Sequence, residues 1–317
     1  MALQIAVIDD WQAVARGVVD WSALESIGEV DFIHDYPADN ATLAARLGGF
    51  EVICVMRERT RFDDDLLRRL PNLKLLVTGG MRNAALDLKT AAALGIQVCG
   101  TDSYKHAAPE LTWALIMAAT RNLVVEADAL RAGKWQQGLG GDLHGKTLAI
   151  LGLGSIGQRV ARFGQAFGMR VIAWSENLTA ERAAEFDVTY VSKQELFEQA
   201  DVLSVHLVLS ERSRGMVDTQ ALAWMKPTAL LVNTARGPIV DEAALIKALQ
   251  KQRLGGAALD VFEQEPLPEH HPFRTLDNVL ATPHVGYVSQ QNYHLFFAQM
   301  IEDIQAWSAG KPIRLLS

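Results

Sequence analysis

Short apolar runs alternate with amphipathic ones from the start of the chain. Over the first hundred residues the runs LQIAVID, VDFIH, FEVICVM, LKLLVTGG and IQVCG are separated by stretches such as NATLAARLGG and DDDLLRRLP. Strands alternating with helical patterns predict a parallel sheet. From Ala108 to Trp135, apolar positions recur at three and four over several turns, which predicts one long, mostly buried helix. A loop containing QQGLGGDLHG follows it.

A second alternating series begins at KTLAILGLG. It continues through the helix SIGQRVARFGQAFG, the strand MRVIAWS, a helix near AERAAEF, VTYV, the helix KQELFEQA and DVLSVHLV, then TALLVNTA, the helix DEAALIKALQ, GGAALDVF and NVLATPH. That is a doubly wound sheet in its own right. The tail SQQNYHLFFAQMIEDIQAWSAG is one amphipathic helix with no strand after it. Such a helix finishes a fold but does not make one, so the simplest arrangement returns it to the first unit. The second series is then an insertion, giving one domain of residues 1–104 plus 289–317 and another of residues 105–288.

Composition narrows the class. With 317 residues, 49% of them hydrophobic and 21% charged, the chain suits two globular domains, and no stretch is biased towards disorder. A net charge of -7 argues against a nucleic-acid surface, which needs a basic face. Apolar runs such as LTWALIMAA fall short of the roughly 20 residues that span a membrane, and MALQIAVIDD reaches its aspartates too early for a signal peptide. Cys54 and Cys99 lie in apolar, strand-like stretches and read as buried thiols rather than a bridge or a metal pair. No metal site is expected, and the default location is cytoplasmic.

The first chemical signal is GLGSIG. Gly152, Gly154 and Gly157 follow an apolar strand and open an amphipathic helix, which raises this pattern above a chance GxGxxG. In that setting the first glycine permits a tight turn, the second lets a pyrophosphate approach and the third lets helix and strand pack closely. The amides of Ser155 and Ile156 then face an anion at a helix N-terminus. The next strand ends at Ser175 and Glu176, about 20 residues on, where an acid should take the ribose hydroxyls. Glu176 stands one position late, so either it or Ser175 faces the ribose. A carboxylate there, with no Arg or Lys beside it, favours NAD, with NADP still open.

Three more side chains stand at the ends of predicted strands: Arg236 in NTARGPIVDE, Glu265 in LDVFEQEPLP and His284 in ATPHVGYVS. Ligands of open parallel sheets bind beyond the carboxyl ends of the strands, so these could converge. Interconversion of a 2-oxo and a 2-hydroxy acid needs a cation for the carboxylate and carbonyl, which suits Arg, and a proton donor near neutral pH, which suits His. A carboxylate behind the His would orient its ring. Each type has an ordinary structural use when taken singly; the joint placement behind a dinucleotide fold is the stronger observation.

GLGSIG, VNTARGPIVDEAAL, AALDVFEQEPLP and TPHVG, in this order and at this spacing, resemble the signature blocks of the D-isomer-specific 2-hydroxyacid dehydrogenases, and LVTGGMRNAALDLKTAAALGIQVCGT resembles their substrate-domain segment. The resemblance implies an α/β fold of two Rossmann-like parallel-sheet domains, the NAD-binding one inserted into a split flavodoxin-like substrate domain. It implies that Arg236 binds the substrate carboxylate and keto group, that Glu265 pairs with His284, and that His284 is the acid and base. It places Asp260 at the nicotinamide carboxamide, Thr234 and Ala235 along the cofactor cleft, and the backbone after Gly80, at Met81 and Arg82, on the substrate carboxylate. Arg57, just past a strand, is a further substrate candidate. By analogy with the family, the helix from about 108 to 131 and its loop form a homodimer surface, and domain closure about the two joins gates the site. Three positions depart from the family pattern: Arg82 replaces a small residue, Val208 a proline and Ser175 an aspartate.

The expected activity is therefore NAD(P)H-dependent interconversion of a small 2-oxo acid and a D-2-hydroxy acid. The alternatives are a 3-phosphoglycerate-type dehydrogenase without a regulatory domain, using Arg57 and Arg82 for the phosphate, and a dinucleotide-sensing protein like the corepressors that resemble this family. Tyr287 and Trp113 read first as packing residues.

Overall fold

The structure, a computed structural model, describes residues 2–35 and 39–316. The chain divides into two compact units, Met1–Tyr104 with Val288–Ser317, and Lys105–Tyr287.

In the first unit β1 (Leu3–Val7), β2 (Gly28–Phe32), β3 (Val52–Val55), β4 (Leu75–Thr78) and β5 (Gln97–Gly100) pair in parallel, in the order β2-β1-β3-β4-β5. This is the flavodoxin-like order. VICV and LLVT are buried along their whole length, which is why they read as unbroken apolar runs rather than alternating ones. The helices Asn40–Leu47, Asp64–Arg68 and Leu88–Ala93 pack apolar side chains on this sheet. Each begins behind an aspartate, Asp39, Asp63 or Asp87, whose carboxylate accepts a first-turn N–H at 2.8 to 3.0 Å. Part of the acidic excess is thus helix capping.

The last helix, Gln290–Ser308, belongs to this unit and contacts β4, burying Phe296, Phe297, Met300 and Ile304. Cys54 and Cys99 are both free and buried, and Val77 of the intervening strand lies in register between them. Burial raises both thiols, that of Cys99 to about 12, so they are inert core groups.

The second unit pairs β6 (Thr147–Leu151), β7 (Arg170–Trp174), β8 (Thr189–Tyr190), β9 (Val202–Val205), β10 (Leu230–Asn233), β11 (Gly256–Leu259) and β12 (Val279–Ala281), all in parallel. Their order is β12-β11-β10-β9-β6-β7-β8, the Rossmann order with a seventh strand added. Along β6, Leu148 and Ile150 enter one apolar cluster while Ala149 and Leu151 enter another, so both faces of the sheet are covered.

The long helix expected from Ala108 onward is two helices. Ala107–Thr120 buries Leu115 and Ile116, the chain turns at Asn122 with φ of 51°, and Leu123–Arg131 then buries no residue. Asparagine tolerates the left-handed conformation, so the break costs little. Beyond it Leu123, Val125, Leu130, Trp135 and Leu139 are exposed, Leu139 almost completely at 97%. Among the described residues no helix is long and apolar enough to cross a membrane.

Candidate active site

The seven-stranded sheet changes direction between β6 and β9, and two loops meet there. Gly152 adopts φ of 105°, and a Cβ on it would stand 2.9 Å from the backbone of His206, the residue after β9. A Cβ on Gly157 would stand 2.2 Å from the carbonyl oxygen of Gly152. These two glycines are demanded by the protein's own packing. A Cβ on Gly154 would meet nothing within 4 Å, so the middle glycine leaves space in front of the helix Ser155–Ala166. That space, facing the first-turn amides of Ser155 and Ile156, fits a pyrophosphate. Arg159 adds a cation over the same turn, its Nη1 donating to the Ser155 carbonyl at 2.6 Å and to Ser155 Oγ at 2.8 Å.

The Gly152 N–H donates to the Trp174 carbonyl at 3.0 Å, which brings the end of β7 beside the glycine turn. Ser175, half-buried, and Glu176, exposed, follow directly. Sequence reasoning passed over His206. Its Nε2 lies 2.8 Å from Ser204 Oγ, and burial pushes its imidazole down to about 3, so it is a neutral ring beside the dinucleotide turn. Its place as the first residue after a strand at the switch point was the available signal.

Arg236, Glu265 and His284 are set by neighbouring loops of the same unit. Asn233 shapes the first, accepting the Ala235 N–H at 3.1 Å and donating to the Arg236 carbonyl at 3.0 Å. A Cβ on Gly237 would stand 2.0 Å from the Phe262 backbone, so only glycine lets the Arg236 loop lie against the segment that leads to Glu265. Arg236 is half-buried, with Nη1 donating to the Ala235 carbonyl at 2.7 Å. Thr234 Oγ1 lies 2.7 Å from Thr112 Oγ1.

Glu265 accepts the Phe262 N–H on Oε1 at 2.9 Å and meets His284 Nδ1 with Oε2 at 2.5 Å. A carboxylate partner requires the hydrogen on Nδ1, so Nε2 is the ring nitrogen left for proton exchange. His284 adopts φ of 53°, a conformation that costs energy in an L-residue and must be held by its surroundings. Tyr287 meets its ring edge-on, with centroids 5.5 Å apart. Trp113 packs against Phe163 and Phe167 instead.

Asp260 is wholly buried. Oδ1 accepts from Thr282 Oγ1 at 2.6 Å and from the Val285 N–H at 2.8 Å, and Oδ2 accepts from the Gly286 N–H at 2.8 Å. Both oxygens are spent on the loop that carries His284. Burial raises its carboxyl, opposed by these hydrogen bonds and by His284.

Arg57, Gly80, Met81 and Arg82 belong to the first unit, after β3 and β4. Arg57 is half-buried, with Nε 3.5 Å from Glu58 Oε2, while Met81 and Arg82 are exposed. Val208, at the departure from the family pattern, is exposed. Among the described residues, no cluster of His, Cys, Asp or Glu is placed to hold a metal ion.

Residues 113–286, more than half of the chain, match the model of the D-isomer specific 2-hydroxyacid dehydrogenase NAD binding domain. The glyoxylate reductase of Aeropyrum pernix is 41% identical over 262 residues, covering 79% of this chain and 78% of that protein. The D-3-phosphoglycerate dehydrogenase of Methanocaldococcus jannaschii is 35% identical over 272 residues, covering 84% of this chain but only 51% of that longer protein. The crystal structure of a phosphoglycerate oxidoreductase from Vibrio cholerae O395 superposes with a TM-score of 0.93 at 39% identity, covering 97% of this chain and 99% of that one. The glycine turn, the two sheets and these matches agree: the chain belongs to the D-isomer specific 2-hydroxyacid dehydrogenase family, oxidoreductases that use NAD(H).

Proposed function

We propose that the protein reduces a small 2-oxo acid to its D-2-hydroxy acid, with Arg236, Glu265 and His284 as the catalytic set. The observation that carries this reading is the 2.5 Å contact of His284 Nδ1 with Glu265, which leaves Nε2 as the proton donor. Arg236 holds the substrate carboxylate and polarises the keto oxygen. In the first unit, Arg57 and the backbone after Gly80, at Met81 and Arg82, are the substrate-binding groups. Bound NADH supplies the hydride that reaches C2. His284 gives its Nε2 proton to the oxygen, and Glu265 stabilises the ring in both charge states. Gly152, Gly154, Gly157, Ser155 and Ile156 hold the pyrophosphate, Ser175 or Glu176 the ribose, and Thr234 and Ala235 the nicotinamide half. Asp260 fixes the loop of His284 and faces the nicotinamide carboxamide.

Initial rates of NADH and NADPH oxidation with glyoxylate, hydroxypyruvate, pyruvate, phenylpyruvate, 2-oxoglutarate and phosphohydroxypyruvate test the reading. Turnover of an unphosphorylated acid is the expected result. Turnover of the phosphorylated one alone would favour the phosphoglycerate reading, for which Arg57 and Arg82 supply cations. NADH binding with no turnover at all would favour a dinucleotide sensor.

The exposed apolar side chains of Leu123, Val125, Leu130, Trp135 and Leu139 support a homodimer through this face. Sedimentation as a dimer, converted to monomer by Leu130→Lys with Trp135→Ser, is the expected outcome. A wild-type monomer would contradict it.

A further inference from the structure

Two arginines of the first unit, two residues apart after β3, are used differently. Arg59 is a strut. Its Nη1 donates to the Asp9 carbonyl and, at 3.3 Å, to Gln12 Oε1. Its Nη2 donates to the Tyr293 hydroxyl at 3.0 Å, and its guanidinium lies 4.4 Å from the Trp11 ring centroid. Arg57 turns the other way, towards the loop after β4. A Cβ on Gly80 would stand 2.8 Å from Arg57 Nη1.

Arg57 adopts φ of 53°, a conformation that has to be imposed on an L-residue. Two buried or half-buried polar groups impose it from opposite sides. Asn83 Nδ2 donates to the Arg57 carbonyl at 2.5 Å and to Thr78 Oγ1 at 2.9 Å, closing the turn from β4. Asp9, at the end of β1, closes it from the other side. Its Oδ2 accepts the Met56 N–H at 3.2 Å, and its Oδ1 accepts from Thr60 Oγ1 at 2.5 Å. The carboxylate thus grips the residues on both sides of Arg57.

Asp9 is itself costly to keep there. It is 3% exposed and adopts φ of 64°. Burial pushes its carboxyl up to about 6, opposed by Thr60, Met56 and Arg59, so at neutral pH it is the ionised, accepting form. A buried carboxylate on a strained residue, bonded to residues that flank a second strained one, is the kind of expense that marks a functional turn.

We propose that Asp9 is a positioning residue for substrate recognition: its grip on Met56 and Thr60 presents the Arg57 guanidinium to the carboxylate of the 2-oxo acid. The inference rests on the reading of Arg57 as a substrate ligand. Asp9→Asn puts an amide where one oxygen accepted a hydrogen bond, and Thr60→Val removes the other bond at constant shape, while Thr60→Ser keeps it.

The experiment measures KM and kcat for the turned-over 2-oxo acid, and Kd for NADH, in these variants and in Arg57→Ala. Asp9→Asn and Thr60→Val are expected to raise KM by on the order of tenfold, the loss of a hydrogen-bonded charge contact, with kcat within about twofold and NADH binding unchanged. Thr60→Ser should behave as wild type. Arg57→Ala should raise KM, and adding Asp9→Asn to it should raise KM no further, because the residue it serves is gone. An unchanged KM in Arg57→Ala would overturn the ligand role of Arg57 and this inference with it. A raised KM in Arg57→Ala, with Asp9→Asn and Thr60→Val silent or simply additive to it, would overturn this inference alone. If Asp9→Asn does not fold, Thr60→Val and Thr60→Ser carry the same comparison.

Discussion

His284→Gln should lower kcat by on the order of 10³ while leaving the Kd for NADH within about twofold of wild type. Glutamine keeps a polar group of similar reach beside Glu265, so the loop and its hydrogen bonds survive. What it lacks is a ring nitrogen that can give up and take back a proton. His284 holds φ of 53° in a loop tied down by both oxygens of Asp260, so the defect is confined to chemistry rather than spread through the fold. A factor of 10³ corresponds to about 4 kcal/mol of transition-state stabilisation, within reach of one general acid combined with its orienting carboxylate. Fluorescence titration with NADH and single-turnover kinetics measure the two quantities separately. Normal turnover in the variant would remove the acid role from His284.

The second large effect is expected at Arg236. Arg236→Gln should reduce kcat/KM by about 10² to 10³, through KM and kcat together, because in the proposed reaction one guanidinium both binds the carboxylate and polarises the keto group. Lysine should restore little of this, since a point charge does not reproduce two parallel N–H donors. The placement of the side chain is specified by its neighbours. Asn233 ties down the backbone, and Gly237 lets the loop approach Phe262 to a distance that no larger residue allows. Steady-state kinetics on both variants test this. Arg236→Lys at wild-type efficiency would show that charge alone suffices and that the fork geometry is irrelevant.

Much of the fold was legible because parallel strands covered on both faces are written as continuous apolar runs. VICV, LLVT and TLAIL are buried at every position, and no tertiary information is needed to see them. The glycine turn was legible for a similar reason, since Gly157 answers to contacts within one strand-turn-helix unit. The break at Asn122 was not, because the three-and-four apolar spacing runs straight through it. Leu123, Val125 and Leu130 continue that spacing yet face outwards, and periodicity alone does not say whether an apolar stripe meets a core or solvent.

The hydrogen bonds of Asp260 were not legible in the sequence. Its burial and its three hydrogen bonds depend on a loop some 25 residues further on. Asp9 and Asn83 were missed on the same principle: each acts through partners distant in the chain, and Asp9 reaches Met56 and Thr60 across 47 and 51 residues. Local pattern locates strands and turns. It does not tell which polar side chain is spent on holding another.

The proposed reaction delivers hydride to C2 of a 2-oxo acid while this chain supplies the proton and fixes the face of attack. The most direct test is to supply NADH deuterated at C4 of the nicotinamide with the best acid of the panel, and to read the product by NMR and chiral chromatography. Deuterium at C2 of a product in the D configuration is the predicted result. A product without deuterium at C2, or one in the L configuration, would contradict it.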